Sequence, residues 1–374
     1  MTNVLVWLLA AVTAGELDGD GEGRRLNLPA VAFDYSSDRV PDHAREVCTA
    51  TDNTPADNPI TDAGATLGRV LFYDMHLSIN RTMSCATCHS PGDGFTDAMD
   101  RSVGHAGATV RRNSMPLVNL RYDPGGRFFW DGRAATLEEQ VVEPIRHVDE
   151  MGLSHDEMVR RLNRDSVYRP LFESAFGDDV ATVDRVAKSL AQFVRSITSF
   201  DSRYDRGLAA AGDPSAAFAN FTDEENWGKQ LFRQFRCAEC HLPDVDHRPQ
   251  SVLFQTSEFL NNGLDVDSPD VDRGRGEVTG VVTDHGRFKS SSLRNIELTG
   301  PYMHDGRFGT LDEVLEHYNW SVKPVDNLDA RLMGFAENMV SMNQMEKEAL
   351  EAFLRTLTDR GVLEDVRFGD PWVR

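Results

Sequence analysis

Two five-residue motifs, Cys85-Ala86-Thr87-Cys88-His89 and Cys237-Ala238-Glu239-Cys240-His241, constrain this chain more than any other feature. Thiols at this spacing can add to the two vinyl groups of one haem, and the histidine that follows then lies beneath the iron as proximal ligand. A thioredoxin-like redox pair has no need of the histidine twice. A zinc site built from all four cysteines leaves both histidines without a role. Covalent haem accounts for all six residues, so the chain is expected to carry two haem c groups. Cys48 has no cysteine left to pair with and reads as a free or buried thiol, with an intermolecular disulfide as the minor alternative.

An internal repeat surrounds the motifs. Gly68-Arg69-Val70-Leu71-Phe72 precedes the first and Gly228-Lys229-Gln230-Leu231-Phe232 the second, each a predicted short helix leading into its cysteines. Thr222 and Glu225 form a capping box at the start of the second helix. Trp227, Leu231 and Phe235 then recur as one apolar face. A last helix is predicted over Glu346 to Leu357, with Ala349, Leu350, Phe353, Leu354 and Leu357 on one side. Others are predicted at Glu138 to Val142, Ser154 to Leu162 and Thr182 to Ile197. Strand-like alternation is scarce. The predicted fold is mostly α, with two cytochrome c-like haem domains, and 374 residues suffice for two cores. Residues 15–60, rich in Asp, Pro and Asn, are expected to be irregular. The N-terminal domain is placed at 61–215 and the C-terminal one at 216–374, with the Gly-Asp-Pro turn inside Ala209 to Phe218 as the junction.

Val4 to Val12 is an apolar run too short to span a bilayer, and Val12-Thr13-Ala14 resembles a signal-peptidase site. Residues 1–14 therefore read as a signal peptide, although no Lys or Arg precedes the run; a buried N-terminal strand or helix is the competing reading. Haem c is attached outside the cytoplasm, so the expected location is the periplasm. The net charge of −21 argues against nucleic acid as a partner, because phosphate binding needs clustered Lys and Arg. A negative surface favours basic partner proteins.

Between the cysteine motifs lies Phe129-Trp130-Asp131-Gly132-Arg133-Ala134, followed by Leu137-Glu138-Glu139-Gln140. After the second motif come Ser291-Ser292-Leu293-Arg294-Asn295 and Leu298-Thr299-Gly300-Pro301-Tyr302-Met303-His304-Asp305-Gly306. In order and spacing these segments resemble the bacterial di-haem cytochrome c peroxidase and MauG family, over roughly residues 60 to 358. The resemblance implies that Trp130 lies between the haems and relays electrons. It implies that Gln140 and Glu150 form the distal pair over the N-terminal haem, with Pro144 beside them. There Glu150 is the acid–base group for O–O cleavage and the Gln140 amide holds peroxide. His105, in Ser102-Val103-Gly104-His105, matches a peroxidase histidine that closes the sixth position of the N-terminal haem. Tyr318 stands fifteen residues after Met303, where peroxidases carry a methionine ligand of the C-terminal haem and MauG-like proteins a tyrosine. Asn113, Thr299 and Pro301 match the ligands of one Ca²⁺, and oxygen-only ligation suits a hard cation. His304 and His317 read as polar packing residues, and His43, His76, His147, His155, His247 and His285 as surface or loop residues.

These residues point first to a peroxidase that reduces hydrogen peroxide to water with electrons from a small donor protein, a cytochrome c or a cupredoxin. Peroxide-dependent oxidation of aromatic residues in a partner protein substrate is the second reading, and a non-catalytic electron carrier the third. His105 favours the first and Tyr318 the second, whereas Gln140 and Glu150 argue against a plain carrier. A homodimer is left open.

Overall fold

The computed structural model of the chain describes residues 24–242, 252–266, 271–337 and 341–373. The expected signal peptide and His247 lie outside them. Helices dominate. Among the described residues the only sheets are two antiparallel ribbons of two strands each, β1 (Arg25–Leu26) with β4 (Trp372–Val373) and β2 (Phe259–Leu260) with β3 (Phe288–Lys289).

The chain opens with α1 (Asp42–Thr51) and α2 (Asp62–Tyr73), then the cysteine turn α3 (Cys85–Cys88). Next come α4 (Leu137–Arg146), α5 (His155–Arg164), α6 (Tyr168–Phe176) and α7 (Val183–Ser196). The second half repeats the plan with α8 (Arg203–Ala211), α9 (Asp223–Gln234), the cysteine turn α10 (Ala238–His241) and α11 (Arg275–Thr279). It ends with α12 (Leu311–Glu316), α13 (Met333–Ala336), α14 (Gln344–Arg355) and α15 (Arg360–Glu364).

The repeat has a packing reason. In each half the helix before the cysteines crosses a long later helix, α2 on α7 and α9 on α14. A Cβ at Gly68 would stand 2.0 Å from the Ser189 carbonyl oxygen, and one at Gly228 would stand 1.8 Å from that of Ala349. Only glycine lets the backbones approach so closely. The capping box of Thr222 and Glu225 starts α9, and Asn343 with Glu346 caps α14 in the same way. Leu231 and Phe235 are buried, but Trp227 is 38% exposed. Positions four apart advance 400° on a helix, so the face drifts, and α9 turns Gly228, Leu231 and Phe232 to α14 while Trp227 falls at its rim.

Two hydrophobic cores result, and the chain ends cross between them. The first, around α2, α4 and α7, also takes Leu26 and Tyr35 from the start of the chain and Val362, Phe368 and Trp372 from its end. The second, around α9 and α14, takes Val40, Ala44 and Cys48 together with Tyr204 and Leu208. Residues 15–60, expected to be irregular, therefore include a ten-residue helix, α1, whose apolar side is buried in the second core. The same core already includes α8, ahead of the Gly-Asp-Pro turn. At its centre Arg294, fully buried, makes two hydrogen bonds to the Asp205 carboxylate at 2.7 and 2.8 Å. The guanidinium holds that carboxyl well below the usual range against the effect of burial.

Candidate active site

Two cavities flank the middle of the molecule. The first is lined by Cys88, His89, Gln140, Pro144, His147 and Glu150, among others. The second is lined by Cys237, Cys240, His241, Met303 and Tyr318, and by Asn113, Thr299 and Pro301. Their empty volumes are about 1460 and 1670 Å³, open solvent at the mouths included. Asn113, Ser114, Pro116, Trp130 and Lys289 border both, and so form the wall between them.

Trp130 is fixed in that wall at two points. Its indole N–H donates to the Asn113 carbonyl at 2.9 Å, and its own carbonyl accepts from the Lys289 backbone N–H at 2.8 Å. Arg112 ties the next residue, Asp131, to Asp272 of the C-terminal half. The Lys289 ammonium is buried against Asp123 and the Arg127 carbonyl.

In the first cavity α4 supplies Gln140 and Pro144. Proline has no N–H for the Gln140 carbonyl, four residues back, so the helix is weakened near its end. It stops at Arg146, and His147 begins a tight turn. The His147 carbonyl accepts from the N–H groups of Glu150 and Gly152, each at 3.0 Å, and Leu153 N–H donates to Ile145 at 2.7 Å. This turn holds Glu150 in the cavity wall. Burial raises its carboxyl above the usual range, with His147 and Arg133 pulling it down and Asp149 and Glu143 pushing it up.

His105 is not brought into this cavity. Its backbone N–H and its ring Nδ1 both lie within hydrogen-bonding distance of the Glu150 carbonyl, at 2.8 and 3.1 Å. The ring packs on Gly152, where a Cβ would stand 2.5 Å from it. The Ser102 to Gly107 loop thus braces the turn that carries Glu150.

In the second cavity Tyr318 and Met303 meet at Asn262. The Asn262 amide bonds the Tyr318 hydroxyl and lies 3.6 Å from Met303 Sδ. Tyr318 sits in a π-helical turn, His317–Ser321, and burial pushes its phenol up to about 12. Asn113, Thr299 and Pro301 all line this cavity, and the Asn113 amide N–H donates to the Met99 and Asp100 carbonyls at 3.0 and 3.2 Å. His304 stacks on Phe288 at 3.7 Å, and His317 Nε2 lies 3.1 Å from the Asn262 carbonyl. His76, expected as a surface or loop residue, is buried, and His147, expected in the same class, lines the first cavity. Its spacing, three before Glu150 and seven after Gln140, was the available signal.

A family model described as di-haem cytochrome c peroxidase matches residues 62–213. The methylamine utilization protein MauG of Methylorubrum extorquens is 37% identical over 305 residues, covering 81% of this chain and 80% of that protein. The chain belongs to the MauG and di-haem cytochrome c peroxidase family. Cytochrome c551 peroxidase of Nitrosomonas europaea is 33% identical over 79% of either chain. The crystal structure of a MauG-like protein associated with microbial copper homeostasis is similar with a TM-score of 0.75, at 31% identity over 90% of this chain and 99% of that one. As a member of the MauG and peroxidase family, the chain is a peroxidase-type oxidoreductase that acts on hydrogen peroxide with a redox partner protein and carries two covalent c-type haems.

The side chains present fit two such groups. His89 Nδ1 faces the Phe95 carbonyl at 2.9 Å, which leaves Nε2 with the lone pair a metal needs. At His241 the Nδ1 atom is buried beside the Phe254 carbonyl without completing a hydrogen bond, and burial lowers the ring to about 4, the neutral form that ligates. Among the described residues the only cluster of three possible metal donors is Asp265, His304 and Asp305, so the four cysteines do not gather into a zinc site. Arg307 already pairs both carboxylates of that cluster.

Proposed function

We propose that the chain reduces hydrogen peroxide to water in the cavity of His89, with electrons from a small donor protein entering at the cavity of His241. The observation that carries this reading is the wall residue Trp130, which borders both cavities. Cys85, Cys88 and His89 hold one haem; Cys237, Cys240 and His241 hold the other. When bound, the two haems supply the redox chemistry of peroxide cleavage. The chain does the rest. Gln140 holds peroxide through its amide, Glu150 takes a proton from it and returns one to the leaving oxygen, and Trp130 carries electrons across the wall. His105, engaged with Glu150 and Gly152, leaves the N-terminal site open. Asn113, Thr299 and Pro301 would hold one Ca²⁺, a reading supported by the place of all three in the lining of one cavity. Attachment of haem c makes the periplasm the working compartment. The test is steady-state peroxide turnover with a reduced small cytochrome c or cupredoxin. Catalytic consumption is expected, and donor oxidation no faster than without enzyme overturns the reading.

A second reading is favoured by Tyr318 in the cavity of His241. A phenolate is a hard anionic donor that stabilises oxidised iron. Were Tyr318 to hold the haem of that cavity, the group would supply stored oxidising equivalents to aromatic residues of a partner protein. Peroxide-dependent modification of a partner, seen by mass spectrometry, supports this reading over donor turnover.

A further inference from the structure

Reduction of peroxide consumes protons as well as electrons: H₂O₂ + 2 e⁻ + 2 H⁺ → 2 H₂O. The electrons come from the redox partner, but the protons come from water and must reach Glu150, whose side chain is only 28% exposed. Beside it stands a residue with no role so far. His147 lines the same cavity, its side chain is 49% exposed, and its Nδ1 lies 3.5 Å from Glu150 Oε1. The two belong to one turn, because the His147 carbonyl accepts the Glu150 N–H.

We propose that His147 is the proton-delivery residue of the peroxide site, taking protons from solvent on its exposed side and passing them from Nδ1 to Glu150 Oε1. The proposal rests on the reading of Glu150 as the acid–base group. A ring protonated on both nitrogens gives its Nδ1 proton to the carboxylate and regains one from water, and no electron moves in the step. Among the neighbours, His105 turns its Nδ1 to the Glu150 carbonyl and does not line the cavity. Arg133 acts on Glu150 and Arg146 pairs with Glu143, but arginine does not give up its proton. Glu143 and Asp149 are carboxylates like Glu150 itself. Across the cavity, Arg111 pairs with Glu277 and Arg112 with Asp131 and Asp272. Imidazole is the side chain on this turn that can hold a proton on each nitrogen and release either.

The test uses the holoenzyme with His147→Ala, His147→Asn and Glu150→Gln, after spectra confirm both haems in each. Turnover of the His147 variants is expected to fall about tenfold or more, with a larger solvent deuterium isotope effect. Added imidazole is expected to restore His147→Ala in a concentration-dependent manner and to leave Glu150→Gln unchanged. In His147→Asn the infrared carboxyl band of Glu150 should titrate at higher pH than in the wild type, because a neighbour that lowers it is gone. Wild-type turnover in His147→Ala, or a loss that imidazole does not restore at an unchanged isotope effect, overturns the proposal and leaves the Glu150 assignment standing. Full turnover in Glu150→Gln removes that assignment, and the proposal with it.

Discussion

Trp130 donates its indole N–H to the Asn113 carbonyl at 2.9 Å, and these two residues stand in the one wall that separates the cavities of His89 and His241. The ring is therefore oriented by backbone and has no carboxylate on its nitrogen. Trp130→Phe keeps an aromatic ring but loses that anchor. We expect donor-dependent peroxide turnover to fall roughly tenfold or more, equivalent to about 1.4 kcal/mol or more in the barrier, while the variant retains both haems. Stopped-flow reduction of the two haems checks this, with a slowed second phase as the expected result.

Glu150→Gln should keep both haems and slow peroxide cleavage by about 10²-fold or more. The pH dependence follows from burial, which raises the Glu150 carboxyl. A base must be ionised, so the acid limb of kcat/KM lies above the ordinary glutamate value of about 4.3, with activity lost as pH falls through the raised value. A pH–rate profile measures it, and the limb should vanish in the variant.

His105 is engaged with the Glu150 turn, so the oxidised N-terminal haem is expected to be high-spin with an open position. His105→Gly should leave that spin state unchanged in electron paramagnetic resonance. Peroxide should react with the oxidised wild-type enzyme without prior reduction. A low-spin bis-histidine signal that His105→Gly abolishes would return His105 to the iron.

Tyr318→Met should raise the potential of the C-terminal haem, because a neutral thioether replaces an anionic oxygen. Redox titration followed by absorbance reads this shift. A wild-type spectrum with methionine ligation would identify Met303, on the other side of Asn262, as the ligand instead.

Arg294→Met leaves the buried Asp205 carboxylate with Ser202 and His43 but without its guanidinium. Breaking such a pair costs about 3–5 kcal/mol, measurable by denaturant unfolding. Because the folded Asp205 carboxyl is depressed, the pair contributes fully above the unfolded aspartate value of about 3.9. The contribution is lost as pH falls from there toward the folded value. The stability of the variant should depend less on pH in that acidic window.

The sequence by itself determined the two Cys-x-x-Cys-His motifs on which the haem assignment rests, and the helices with strong caps such as α9. Thioether formation is set by covalent spacing along five residues, and a capping box by hydrogen bonds within one turn, so neither needs the rest of the fold. The repeated glycines Gly68 and Gly228 were visible too, but their reason, a carbonyl of another helix under 2.1 Å from any Cβ, lies more than 100 residues away. Tertiary packing alone decided that Trp130 borders both cavities, that the chain ends cross between the cores, and that His105 rests on Gly152. It also brought Tyr318 and Met303 to one asparagine and turned His147 toward Glu150. Those relations depend on how segments distant in sequence close against each other, and no local spacing encodes which face of a turn looks into a cavity.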